Sequence, residues 1–343
     1  MKQLLNTLYA TAPERYHSLD GENVVIRSED EEIGRIQLHN LEAIVTFGYQ
    51  GASPALMGAC VQRNINLSFL SASGRFLARV SGEVRGNVTL RKQQYRLSEN
   101  DGEAIKVARN CILGKVLNSR WVLERAAGDY PMRLDSDKLK EKSSYLAESL
   151  RKIRVSRECG ELRGLEGEAA TVYFSVIDDL ILQQKELFYF HGRNKRPPLD
   201  RVNAMLSFAY TLLAGMCGAA LETVGLDPYV GFLHTDRPGR MSLALDMMEE
   251  FRSVMADRFV LTLINKRIIS GDAFSVKENG AVIMDDETRK LFLSQWQMKK
   301  QETITHPFLN EKIEWGMVPY VQAMLLARYI RGDLDEYPPF LWK

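Results

Sequence analysis

Over the first 80 residues, short runs rich in β-branched and aromatic side chains alternate with turn signals such as Asp20-Gly21 and Ser28-Glu29-Asp30. The runs at 4–11, 23–27, 32–38, 43–47, 66–70 and 76–80 predict strands, and 54–63 predicts one short helix among them. After residue 80 the apolar period lengthens to that of helices. Breaks fall at Gly128-Asp129, Arg196-Pro197-Pro198, Gly225-Leu226-Asp227-Pro228 and Pro238-Gly239. The pattern predicts an α+β, multidomain chain: a small N-terminal β domain over 1–80, then a larger all-α C-terminal domain over 81–343.

Within the helical part, one segment concentrates chemistry. His234 closes the apolar run Tyr229-Val230-Gly231-Phe232-Leu233, and a helix is expected to follow with Ser242 as its cap. Ala244, Met247, Met248, Phe251, Val254 and Met255 recur at helical spacing, while Asp246, Glu249, Glu250, Ser253 and Asp257 gather on the opposite side. Alone, that edge reads as a solvated acidic face. An imidazole followed by carboxylates one helical turn apart is also the raw material of a hard-metal site, which needs a further ligand.

Glu166 supplies a candidate. In Gly164-Leu165-Glu166-Gly167-Glu168-Ala169-Ala170 it shares a helical stripe with Ala169, Ala170, Tyr173 and Ile177, whereas Glu168 falls with Thr171, Ser175 and Asp179 on the polar side. A carboxylate on the buried stripe must be paired, hydrogen-bonded or metal-bound. Pairing with Arg163 or Arg252 stands beside ligation as an open alternative. The next long helix, from Asp200 to about Glu222, is apolar around most of its circumference but carries Asn203, Ser207 and Tyr210 in line. Such groups are expected to bond between helices or to support a site from behind.

With 343 residues, 45% hydrophobic and 26% charged, the chain is long enough for two cores. No segment reads as a membrane span and the start is too polar for a signal peptide, so a cytoplasmic protein is expected. Cys60, Cys111, Cys159 and Cys217 are scattered without a CxxC pair, which argues against disulfides and structural zinc. A net charge of +1 gives no global reason to bind nucleic acid, but the local distribution does. His191, Arg193, Lys195, Arg196 and Arg201 precede the Asn203 helix, Arg237 and Arg240 flank His234, and Arg85, Arg91, Lys92 and Arg96 form a third cluster. Arg193, Lys195, Arg196, Arg237, Arg240 and Arg252 are the candidate phosphate contacts.

Three blocks in order carry a resemblance: the Gly164–Phe174 stretch, RNKRPPLDRVNAMLSFAY from Arg193, and GFLH from Gly231 with SLALDMMEEFR from Ser242. Together they resemble the CRISPR-associated spacer-acquisition integrase, the first and most widespread Cas protein family. The ending RGDLDEYP and FLWK resembles its subtype I-C branch. Ser253 and Ala209 depart from the family's usual Pro and Gly, and neither is a ligand position. The resemblance implies a metal-dependent DNA endonuclease and integrase with Glu166, His234 and Glu249 as ligands to Mg²⁺ or Mn²⁺ and Asp246 assisting. It further implies prespacer DNA and a repeat array as substrates, a homodimer, a small ferredoxin-like acquisition subunit completing a hetero-hexamer, and a RecB-like accessory nuclease.

The residues alone leave two other classes open. One is a metal-dependent nuclease or phosphoesterase acting on branched DNA or nucleotides without integration. The other is a non-catalytic DNA-binding scaffold in which the acidic edge is surface. Chemistry alone divides the weight among the three, and the resemblance moves most of it to the integrase; in that reading a divalent cation screens the repulsion between a phosphodiester and an attacking oxygen, and no Ser-His-Asp or Cys-His arrangement offers a protein nucleophile.

Overall fold

The computed structural model describes residues 6–29, 31–71, 76–82 and 88–342, so Leu4, Leu5, Asp30, Arg85 and Lys343 lie outside the described residues. The chain divides into two compact units, Met1–Arg85 with Met284–Glu302, and Gly86–Ile283 with Thr303–Lys343.

The first unit is built on strands. β1 (Thr7–Ala10), β5 (Ala43–Phe47), β6 (Asn66–Leu70) and β7 (Phe76–Arg79) form a sheet in which β1 and β6 run parallel to β5 and β7 runs antiparallel to β6. β2 (Arg15–Asp20), β3 (Asn23–Ser28) and β4 (Glu31–Gln37) form an antiparallel meander. The β2–β3 hairpin closes on a two-residue loop that puts Gly21 at φ +56°, a conformation glycine adopts without cost. α1 (Pro54–Gln62), capped by the Ser53 hydroxyl, seals a core of Val24, Leu38, Ile44, Leu56 and Leu67. β2 is absent from the predicted strands because its Tyr-His-Ser-Leu sequence lacks a clean apolar alternation. The helix Asp286–Gln301, which periodicity assigns to the all-α domain, belongs to this unit: it buries Phe292 and Trp296, and its Lys300 Nζ donates to Thr7 Oγ1 at 3.0 Å.

The second unit is helical. α2 (Val88–Glu99) leads into the 29-residue α3 (Asp101–Asp129), which packs along α4 (Ser136–Val155) and α5 (Cys159–Phe174). α6 (Arg201–Val224) lies against α7 (Ser242–Met248) and α10 (Val318–Arg331). A π-helix over Arg252–Asp257 joins α7 to α8 (Arg258–Asn265). Two short pairs, β8 (Phe274–Val276) with β9 (Val282–Met284) and β10 (Thr303–Thr305) with β11 (Lys312–Glu314), flank the helix at 286–301, called α9. Three-residue strands fall below what periodicity can register.

Two expectations need correcting. α6 is long and apolar enough to cross a membrane, contrary to the sequence reading, but most of it is buried inside the helical unit, as befits a core helix. The acidic edge is not solvated either: Asp246, Glu249, Glu250 and Asp257 are all at most 3% exposed. The segment is enclosed on both sides, by α3 and the chain's C-terminal residues as well as by α6, so each carboxylate has to be satisfied internally.

Candidate active site

The loop before α7 is shaped around one buried carboxylate. Asp246 Oδ2 accepts from the backbone N–H of Phe232 at 2.6 Å and of Leu233 at 2.9 Å, and its Oδ1 accepts from the N–H of His234 at 2.9 Å. The backbone comes so near that a Cβ on Gly231 would sit 2.8 Å from Ser242 Cβ and 2.9 Å from Asp246 Oδ2, so only glycine fits. Oδ1 also meets His234 Nδ1 at 2.6 Å. A carboxylate oxygen accepts here, which places a proton on Nδ1; in the neutral imidazole Nε2 then keeps its lone pair, the tautomer a metal-binding histidine needs. Met241, not Ser242, occupies the N-cap position of α7, and the Ser242 hydroxyl bonds Thr235 O instead.

Glu249 follows the last turn of α7 and is 3% exposed. Arg252 Nη2 holds its Oε1 at 2.9 Å, and Lys115 Nζ on α3 stands 2.8 Å from its Oε2. Burial by itself would raise this carboxyl; the charges of Arg252 and Lys115 outweigh it and bring the pKa down to about 2. Oε2 has Lys115 as its ion-pair partner, and that contact adds to the lowering of the Glu249 carboxyl. On its other side Lys115 donates to Glu166 Oε1 in a short contact. Glu166 is therefore part-buried and paired, as one sequence alternative required, but its partner is neither arginine considered: Arg163 donates to Leu233 O and Arg252 belongs to Glu249.

The polar stripe on α6 gathers around Arg193. Asp200 caps the helix through Asn203 N at 2.7 Å, and the Asn203 side chain accepts from Arg193 Nη1 at 2.6 Å while donating to Asp200 and Gly192 O. Ser207 Oγ accepts from Arg193 Nη2 at 3.1 Å. The Tyr210 ring lies 5.2 Å from both the Arg193 and the Arg252 guanidinium, and its hydroxyl donates to Asp257 at 2.6 Å. Arg193 is thus engaged within the protein, whereas Lys195, Arg196 and Arg237 are exposed and Arg240 and Arg252 part-buried. Lys195 is held below its ordinary pKa by partial burial and by the charges of Arg252, Arg193 and Arg196, which marks a concentrated positive field next to Glu249.

Two buried acids behave oppositely to Glu249. Burial pushes Glu250 up to about 7 and Asp257 up to about 6, despite hydrogen bonds from Phe340 N–H and Tyr337 to the first and from Tyr210 to the second. A raised folded pKa means that the unfolded chain loses its proton first, so each contribution is complete below the ordinary carboxylate range and declines as pH rises through the folded value. Stability should therefore fall between pH 3.8 and 6 on account of Asp257. Thermal unfolding across that window should show a flatter decline for Asp257→Asn than for the parent protein.

The donors able to hold a hard divalent cation are Glu166, Glu249 and His234 Nε2, an oxygen-rich set that leaves positions for water and phosphate oxygens. Among the described residues no three His, Cys, Asp or Glu side chains stand gathered into a cage, because the Lys115 ammonium bridges the two glutamates. One buried and one part-buried carboxylate, Glu249 and Glu166, converging on one cation fit such an ion in charge and donor type.

The profile described as CRISPR associated protein Cas1 matches residues 8–298. The chain belongs to the Cas1 family. A relative from Chlorobaculum tepidum, named CRISPR-associated endonuclease Cas1 1, is 49% identical over 343 residues and is covered completely by the alignment, as is this chain. Among solved structures, a casposase bound to integration product superposes with a TM-score of 0.84 at 22% identity, covering 98% of this chain and 93% of that one. A Cas6-RT-Cas1–Cas2 complex gives 0.83 at 21% identity, covering all of this chain and 36% of that one. These likenesses establish the β-then-helical Cas1 fold.

In this Cas1-family chain, Lys115 is the residue of the candidate site that the sequence reading omits. Its signal is the one that singled out Glu166: a lone charge in an apolar helical run, Cys111-Ile112-Leu113-Gly114-Lys115-Val116-Leu117. Gly114 beside it lets α3 approach, since a Cβ there would meet Glu250 Cγ at 3.0 Å.

Proposed function

We propose that the chain is a metal-dependent DNA endonuclease and integrase of CRISPR adaptation, in which the 3′-hydroxyl of a captured DNA fragment attacks a phosphodiester of a repeat array and the 3′-oxygen of the cut strand leaves, exchanging one phosphodiester for another. The observation that carries this reading is the convergence of Glu166 and Glu249 on one cation beside a histidine whose Nδ1 is committed to Asp246. Family membership and the name of the Chlorobaculum relative support it.

In this reading Glu166, His234 and Glu249 hold Mg²⁺ or Mn²⁺, which when bound polarises a phosphoryl oxygen and lowers the pKa of the attacking hydroxyl. Asp246 fixes the tautomer and direction of His234. Arg252 fixes Glu249 through Oε1, so that this carboxylate would be held in place as a ligand. Tyr210, clamped between Arg193 and Arg252, keeps the latter from swinging away. Lys195, Arg196, Arg237 and Arg240 supply charge for phosphates, with affinity expected to fall steeply with salt. No protein atom becomes covalently attached to DNA.

The same reading includes a homodimer, a small ferredoxin-like subunit assembling with it into a hetero-hexamer, a RecB-like accessory nuclease, and the I-C subtype, whose support is the RGDLDEYP ending. The test is strand transfer: purified protein with the small subunit, a short duplex bearing 3′-hydroxyls and a repeat-containing plasmid should yield joined products with Mn²⁺ or Mg²⁺ and none with EDTA. Metal-dependent hydrolysis of branched DNA without any joining would favour the phosphoesterase instead.

A further inference from the structure

We infer that Lys115 is a tethered counter-cation of the metal site: it neutralises Glu166 and Glu249 when no metal is present, and binding of a divalent ion displaces it. The inference rests on the metal-site reading above. Glu249 is 3% and Glu166 27% exposed at the side chain, so two negative charges would face each other in a partly dry site. Like charges so placed repel strongly in low dielectric, and without a cation one glutamate would turn away or take up a proton. Lys115, itself only 12% exposed, reaches one oxygen of each glutamate and supplies that cation from within the fold.

The grip has a particular form. Glu249 is held at Oε1 by Arg252, and Lys115 takes the other oxygen, Oε2, so the two cations grip it independently. Arg252 therefore keeps Glu249 in place while Lys115 can leave it. A lysine suits exchange because its charge sits at the end of a flexible four-carbon stem, in contrast to the planar fork of Arg252. The electrostatic consequence follows from the four charges. With Lys115 docked, two carboxylates face two cations and the cluster is neutral. With a divalent ion in its place the cluster gains a net positive charge, and the released ammonium adds another close by, both favourable to a phosphodiester. Lys115 is on this account a positioning residue: it preserves the shape of the empty site and sets the threshold for metal entry.

The test is a Mn²⁺ titration of the full chain followed by the electron paramagnetic resonance signal of free ion, comparing wild type with Lys115→Met. Removing the competitor should tighten Mn²⁺ binding about tenfold or more, while the metal-free variant melts lower than wild type and recovers on saturation with Mn²⁺. Equal or weaker Mn²⁺ affinity in a folded Lys115→Met protein overturns the exchange. A second measurement needs no variant: in wild type, pulse acetylation read by mass spectrometry should modify Lys115 faster with Mn²⁺ than with EDTA, and unchanged protection overturns the proposal. Mn²⁺ binding that ignores Lys115 defeats the exchange alone, whereas no Mn²⁺ binding in either protein defeats the metal site and the exchange with it.

Discussion

Replacing Phe340 by alanine is expected to destabilise the helical unit by about 3–5 kcal/mol and to lower its melting temperature by on the order of 10 °C. The C-terminal residues look dispensable by position, yet they form a strap through the core: Tyr337, Phe340 and Trp342 are 1%, 0% and 8% exposed. The Phe340 ring meets Phe251 at 5.6 Å and Trp315 at 5.9 Å, centroid to centroid. Asn118 on α3 donates to Phe340 O at 2.8 Å and to Glu250 O at 2.7 Å, and accepts from Trp342 N–H at 2.8 Å. Phe340 N–H donates to Glu250 Oε2 at 2.6 Å, and Tyr337 OH to Oε1 at 2.5 Å. The Arg125 and Arg258 guanidinium groups lie 4.2 and 4.5 Å from the Trp342 ring. Phe340→Ala therefore opens a cavity and loosens the residue adjacent to Glu249. Thermal or denaturant unfolding measures the loss; a change under about 1 kcal/mol, the size of an ordinary surface substitution, would show that the strap is not packed as described.

Pattern served well for placing individual elements: β5 and β6 fall at the predicted positions, and α6 begins at the Asp200 cap. Pattern failed at the acidic segment. Around residues 246–257 the acidic side resembles a solvent face, because sequence periodicity separates polar from apolar positions but does not reveal whether the polar side is covered. What covers it comes from far away: Lys115, Gln322, Tyr337 and Phe340. The π-helix at Arg252–Asp257 also departs from the regular 3.6-residue register, although Phe251, Val254 and Met255 are buried as that count predicts.

The site was legible in part for the same reason. Glu166 stood out as a carboxylate on an apolar stripe, and His234 as an imidazole closing an apolar run. Their counterpart Lys115 carried an equal signal, but a lone lysine in a helix is ordinarily a solvated one. Arg193 looked like a surface phosphate contact from its basic neighbours; its bonds to Asn203 and Ser207 depend on how the loop before α6 folds back, which no spacing encodes.

His234 is the ligand whose loss separates chemistry from stability. Its side chain is 21% exposed, so the space left by truncation is open to solvent, and Asp246 keeps the three backbone donors that hold the loop. Stability should thus change by only about 1 kcal/mol, while the loss of one metal ligand should cost transition-state stabilisation of several kcal/mol, roughly a thousandfold in rate. The decisive measurement is Mn²⁺-dependent strand transfer by His234→Ala beside wild type, with melting and circular dichroism recorded on the same preparations. The predicted result is a normally folded variant at about a thousandth of the wild-type rate or less; a normally folded His234→Ala protein that joins DNA at the wild-type rate would contradict the assignment of the site.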